Sequence, residues 1–170
     1  VAAIEAFPER HERHWLNVMR DKLGLDPVGD AKLDRSLATD FLDLLAQEKI
    51  DFTNGIRALF EAADGRDASL HRLFGQSPRF AEWQRRWQAR QPQRSAELVA
   101  TMKRANPCYI ARNHQVEIAL EAAVEDQDLA PFERLLAVLQ QPFDARDEDA
   151  EFAEPAPLAV TASYQTFCGT

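Results

Sequence analysis

The sequence predicts an all-α protein, an irregular bundle of about seven helices with an extended C-terminal tail. Three observations lead to this fold class. Apolar residues recur at helical spacing through most of the chain, and no stretch alternates as a half-buried strand does. Residues that typically start and stop helices flank these stretches of helical spacing. No internal repeat period is found, which argues against a helical solenoid.

Four helices are predicted in the N-terminal half. The apolar stripe of the first consists of Ile4, Phe7, His11, Trp15, Val18, Met19 and Leu23. Gly24 is a typical stop for that helix, and a second stripe runs over residues 33–45. Asp51 is a typical N-cap for a third helix, which Asp64-Gly65 closes. Ser77-Pro78 is a typical start for the fourth, because Pro fits the first helical position.

Three further helices complete the predicted bundle. They cover Ser95 to Ala105, Val116 to Ala123 and Pro131 to Leu139. Asn106-Pro107 ends the first of them, since the residue before a proline avoids the helical conformation. After residue 142 the sequence turns acidic and rich in Pro and Ala. We therefore expect a helical domain over 1–142 and a tail over 143–170 that lies on the surface or is disordered.

Composition argues against several classes of protein. A chain of 170 residues can bury a core, and its net charge of −8 argues against binding nucleic acid or an acidic membrane. No apolar run is long enough to span a bilayer, and the first residues do not form a signal peptide. Two cysteines are too few for a disulfide-built secreted fold, which makes a reducing cytosol the expected compartment.

Four segments together carry a family resemblance. Asn106–Asn113 opens an Ala-rich helix, and the chain closes on Tyr164–Thr170 with a cysteine third from the end. These two segments resemble the C-terminal portion of the selenoprotein O family (SelO, also called YdiU). Lys22–Leu25 and Asp51–Leu59 are similar to earlier parts of the same region. The resemblance covers nearly the whole chain in the family's order. We call Lys22–Leu25, Asp51–Leu59 and Asn106–Asn113 the family landmarks.

The resemblance implies that this chain is part of a larger enzyme. The kinase-like catalytic core would precede Val1, residues 1–142 would belong to its C-lobe and extension, and the intact protein would move AMP from ATP, with Mg, onto hydroxyl side chains of proteins. It places no catalytic, ATP-binding or metal-binding residue in this fragment. The implied partners are the upstream kinase-like lobe and protein substrates, with no nucleic acid or membrane, in the bacterial cytoplasm. Two departures, Ala111 and the segment Glu154–Pro157 without a Pro pair or Trp, leave the docking of the tail open.

Cys168 is the residue expected to have a redox role. Near a chain end and beside Gly169, its thiol is accessible for thiol–disulfide exchange. The resemblance adds that the family has Cys or selenocysteine here and suggests a redox function. The alternative is an unreactive thiol in a reducing cell. Cys108 is the only other cysteine, and its apolar neighbours predict a buried, inert thiol, so the disulfide partner of Cys168 stays open.

Three other residues are predicted to have structural roles. Asp51 precedes Phe and Thr, which is similar to the kinase Asp-Phe-Gly motif but lacks its glycine, so we assign it as an N-cap. Arg112, entering a helix beside Asn113, is expected to fix a loop by bonding carboxylates or backbone carbonyls rather than a ligand.

His11 and His14 do not form a metal site. A zinc-binding helix needs histidines four residues apart with a glutamate between them, whereas these are three apart and lack a third ligand. We predict a half-buried His11, a solvent-facing His14 and no metal.

The stretch over residues 79–94 allows several interpretations. It contains Trp83 and Trp87 one turn apart, together with the arginines Arg79, Arg85, Arg86, Arg90 and Arg94. We favour tryptophans that pack inward under a solvated arginine face. Aromatic and arginine side chains could instead grip single-stranded RNA, or the arginines could bind the acidic tail. An RNA-binding helical domain and a stand-alone protein-interaction module therefore remain alternative functions.

Overall fold

Every regular element described by the computed structural model is a helix, which confirms the predicted all-α class. The described residues are 5–91 and 95–157, and no strand occurs among them. They form α1 (Phe7–Leu23), α2 (Ala31–Glu48), α3 (Phe52–Ala63), α4 (Ala68–Phe74), α5 (Pro78–Arg90), α6 (Ala96–Ala105), α7 (Asn113–Glu125), α8 (Ala130–Leu139), a 3₁₀ helix η1 (Asp147–Asp149) and α9 (Ala150–Ala153). None of these helices is both long and apolar enough to cross a membrane.

Side-chain caps start several of the helices. Asp51, Ser77 and Ser95 each accept the backbone N–H three positions ahead, at 3.0, 3.3 and 3.1 Å. Asp30 caps α2, and hydrogen bonds from backbone N–H groups, first that of Leu33, lower the pKa of its carboxyl. These bonds satisfy N–H groups that have no partner within the helix.

Two helices were not predicted. The seven-residue helix α4 is too short to show a clear period in the sequence. The helix α9, with η1 before it, lies where the sequence predicted a tail. Together they bury Asp149 and Phe152, so this part of the predicted tail is folded. The boundary proposed at residue 142 stays a prediction.

The predicted apolar stripe of α1 is confirmed at Met19 and Leu23 and was wrong at its N-terminal end. Phe7 and His11 are exposed, and their rings stack on each other with centroids 6.0 Å apart. The buried positions are Leu16, Met19, Arg20 and Leu23. The prediction placed no arginine on the buried face of α1, whereas that face includes the charged Arg20.

The chain forms two compact units, Val1–Pro107 and Cys108–Thr170. The core of the first contains an aromatic cluster. Phe74 stacks on Phe80 with centroids 4.0 Å apart, and Trp83 lies 4.5 Å from Phe41 and 5.7 Å from Trp87. Both tryptophans are buried, as favoured from the sequence. Aromatic packing therefore joins α2, α4 and α5.

A buried carboxylate organises the polar part of this first unit. Asp34 is 0% exposed and lies between two guanidinium groups. Arg90 donates from Nε to Oδ1 at 2.6 Å and from Nη2 to Oδ2 at 3.1 Å, and Arg20 donates from Nε to Oδ2 at 2.8 Å. Arg90 also donates to the Asp26 carbonyl, and Arg20 also donates to the Gly29 carbonyl. A Cβ at Gly29 would overlap the Arg90 guanidinium, so this close approach requires glycine.

The second unit has a smaller core. Its buried apolar residues are Tyr109, Ala119, Leu135, Val138 and Phe152. The Tyr109 hydroxyl donates to the Arg146 carbonyl at 3.2 Å and accepts the Arg146 N–H at 2.8 Å. Burial raises the pKa of Tyr109, which keeps the donor protonated. Asp149, 1% exposed, pairs with Arg134 and Arg146.

Replacing Asp34 with Asn should destabilise the protein by about 3–5 kcal/mol, because it leaves the buried Arg20 guanidinium and the half-buried Arg90 guanidinium without their counter-charge. The matched control is Asp40→Asn, since Asp40 pairs with Arg86 at 2.7 Å on the surface. We expect that change to cost about 0.2–1 kcal/mol. Urea unfolding measures both, and equal losses in the two variants would contradict the role given to Asp34.

Candidate functional site

The family landmarks meet at the C-terminal end of α1. The last carbonyls of a helix have no partner within it. Here side chains from α5 and from the end of α6 supply donors. Trp87 Nε1 and Gln91 Nε2 donate to the Leu23 carbonyl at 2.7 and 2.8 Å. Asn106 Nδ2 donates to the Lys22 carbonyl at 2.8 Å.

Gly24 permits this convergence. It lies in the left-handed region with φ of 64°, and its backbone N–H donates a hydrogen bond to the Arg20 carbonyl. Gln91 Nε2 also donates to the Gly24 carbonyl at 2.9 Å. A Cβ on Gly24 would meet the Met102 side chain and Gln91, so both the backbone angle and the space favour glycine.

Asn106 joins all three family landmarks. Its side chain is 1% exposed and bonds Lys22 in the first landmark. Its own carbonyl accepts from Arg57 Nη1, in the second landmark, at 3.0 Å. Lys22 reciprocates by donating Nζ to the Ala105 carbonyl at 2.6 Å, and burial lowers the pKa of this amino group. From the sequence, Asn106 was assigned only a helix-stopping role. Its hydrogen-bond partners Lys22 and Arg57 are distant in sequence, so no local pattern reveals them.

Arg112 and Asn113 start the helix α7 in the second unit. Arg112 is buried, and its Nη2 donates to the Ala153 carbonyl at 3.0 Å. Its backbone carbonyl accepts the Val116 N–H at 3.0 Å, in the first turn of α7. Asn113 is exposed. The bond to a backbone carbonyl is one of the two contacts that the sequence analysis named, and the structural assignment of Arg112 stays a prediction.

The other residues discussed from the sequence are the two cysteines and the histidine pair of α1. Cys168 lies outside the described residues. Cys108 is half-buried, so the expectation of a buried thiol was wrong. His11 and His14 are both exposed, which corrects the half-buried position expected for His11.

The Arg/Trp stretch has the geometry of a packed helix. Trp83 Nε1 donates to the Leu37 carbonyl at 2.9 Å, and the buried ring faces are covered by other aromatics. They are therefore not available for stacking on bases, which is what the RNA alternative requires. Arg94 lies outside the described residues. The acidic tail was the other partner considered for these arginines. One of its carboxylates, that of Asp149, pairs with Arg134 and Arg146 of its own unit.

A cleft of about 590 Å³ lies beside the Asp34 cluster among the described residues. Arg20 and Arg90 line it, but both already bind Asp34. The other charged groups in its described lining are carboxylates, those of Asp21, Asp26 and Glu97. Such a lining does not suit a triphosphate, which is recognised by basic groups and backbone N–H groups.

The fold and the site define a helical region in which residues of the family landmarks join helix ends. The family model described as "Protein adenylyltransferase SelO" matches residues 1–140. The chain therefore belongs to the SelO family, as the resemblance predicted.

Three relatives named protein nucleotidyltransferase YdiU show how much of the family the chain covers. The chain is 40% identical over 170 residues to that of Chromobacterium violaceum, covering 98% of this chain and 35% of the relative. It is 44% identical to those of Halalkalibacterium halodurans and Cereibacter sphaeroides, covering 99% of this chain and 33% and 34% of each relative. The chain thus spans about a third of the length of the curated relatives it matches.

Replacing Asn106 with Ala should cost about 1–3 kcal/mol, because the half-buried Lys22 carbonyl loses its side-chain donor. Asn113→Ala is the matched control, since Asn113 is exposed, and should stay within about 0.5 kcal/mol of the parent. Thermal unfolding compares the two. If both variants melt like the parent, Asn106 does not hold the landmarks together.

Proposed function

We propose that this chain is the C-terminal helical region of a kinase-like protein adenylyltransferase. The whole protein would transfer AMP from ATP to hydroxyl side chains of other proteins. This region would support the catalytic lobe and present Cys168 as a redox-active thiol in the bacterial cytoplasm. The observation that carries the proposal is the family match over residues 1–140, together with relatives about three times as long.

The supporting role follows from how the landmark residues are used. Arg57, Asn106 and Arg112 each donate a side-chain hydrogen bond to a backbone carbonyl of their own unit. The backbone carbonyl of Asn106 is the one that accepts from Arg57. These bonds fix helix ends in place. A set of helices held in this way suits the bracing of a neighbouring domain.

The transfer itself would use groups outside this chain. A protein hydroxyl oxygen attacks the α-phosphorus of ATP, the bond from that phosphorus to the bridging oxygen breaks, and pyrophosphate leaves while the hydroxyl proton passes to a base. Mg and basic residues of the catalytic lobe would hold the triphosphate and stabilise the developing charge.

The whole protein should label protein substrates from ATP carrying radioactivity on the α-phosphate. ATP labelled on the γ-phosphate is the matched control and should give no label, because that group leaves with pyrophosphate. Calorimetry with the 170-residue chain alone should detect no Mg-ATP binding. Tight binding to this chain, or γ-label on the substrate, would contradict the proposal.

In the whole protein treated with oxidised glutathione, Cys168 should become protected from alkylation and regain reactivity after reduction. The reason is that its thiolate attacks the glutathione disulfide, one glutathione thiol leaves, and Cys168 is joined to the other glutathione. A second protein thiol can then displace that glutathione. Mass spectrometry of the C-terminal peptide measures this, with Cys108→Ser as the variant that removes the other thiol of this chain. Equal alkylation of Cys168 before and after oxidation would argue against a redox role.

A further inference from the structure

The second unit exposes large apolar side chains on two adjoining helices. On α7, Leu120 and Val124 lie one turn apart and are 53% and 78% exposed. On α8, Phe132 and Leu136 repeat this spacing, and Leu129 lies in the connection between the helices. We call these five residues the α7–α8 apolar set.

The helix α7 packs on α8, but little of α7 is buried among the described residues. Ala119 is its single buried residue in a helix of 13 residues, whereas α2 buries six in 18. Helices of this length owe most of their stability to an apolar face packed on a neighbour. Apolar groups in such a cluster usually mark a surface that another domain or protein covers.

We propose that the α7–α8 apolar set docks against the catalytic part of the longer family protein. The proposal rests on the function proposed above, and it names the surface through which the support acts. The relatives extend over about three times the length of this chain, and 98–99% of the chain is already matched in the alignments. In a protein as long as these relatives, the part outside this chain would be large enough to supply the cover.

Charge argues against a second copy as the occupant. The exposed carboxylates of Glu117, Glu121 and Glu125 accompany the apolar side chains along α7, and Asp126 and Asp128 follow it. A symmetric dimer through the same patch would bring these like charges together in a chain that is already at −8. The surface instead suits a partner with an apolar centre and a basic rim.

Photocrosslinking in the whole protein tests this docking. Phe132→p-benzoylphenylalanine keeps an aromatic ring at a position in the set. Leu33→p-benzoylphenylalanine is the matched control, because Leu33 is an apolar side chain 62% exposed on α2 in the other unit. After irradiation and digestion, we expect residue 132 to be joined to peptides that precede Val1, with little or no such product from residue 33.

Other crosslinking patterns would overturn the inference. These are products between two copies, products with residues 158–170, equal yields from positions 132 and 33, or no product from either. A second measurement does not rely on the photoprobe. Leu136→Asp should lower the melting temperature of the whole protein by about 3 °C or more, because a carboxylate would enter an apolar contact. Leu33→Asp should leave it unchanged, and equal shifts would also overturn the docking.

The AMP-transfer assay separates this inference from the proposed function. Transfer without the expected crosslink would leave the function standing and reject this surface. The expected crosslink without any transfer would support the docking and reject the function.

Discussion

The C-terminal carbonyls of α1 impose the constraint on which the first unit depends. They cannot be satisfied within the helix, and burial removes water as a partner. Trp87, Gln91 and Asn106 supply the donors. One helix end thereby fixes the position of α5 and of the end of α6. The Asp34 carboxylate completes the arrangement by joining α1, α2 and α5 through its two arginines.

This constraint explains why the family landmarks contain the residues they do. Lys22–Leu25 ends a helix and needs glycine, because the Met102 and Gln91 side chains occupy the space of a Cβ. The second landmark contributes Arg57, and the third contributes Asn106, which bonds them both. A short amide side chain suits that place because it donates within a dense interior without adding a charge. The landmarks of this unit thus describe how it is held together.

Much of the fold follows from local sequence, and the site does not. Asp51, Ser77 and Ser95 marked helix starts because a cap acts within three residues. The burial of Arg20 on α1 was missed because its partners, Asp34 and the Gly29 carbonyl, lie outside that helix. The bond between Asn106 and Lys22 spans 84 residues, so no local pattern signals it. Long-range polar partners are what a single sequence fails to reveal.

We propose that the landmark residues brace the protein rather than contact its substrates. Arg112→Leu in the whole protein tests this most directly, because Arg112 bonds the Ala153 carbonyl within its own unit. The account predicts a lower melting temperature and, at a temperature where the variant is folded, an unchanged rate of AMP transfer. An unchanged melting temperature with transfer abolished would contradict it.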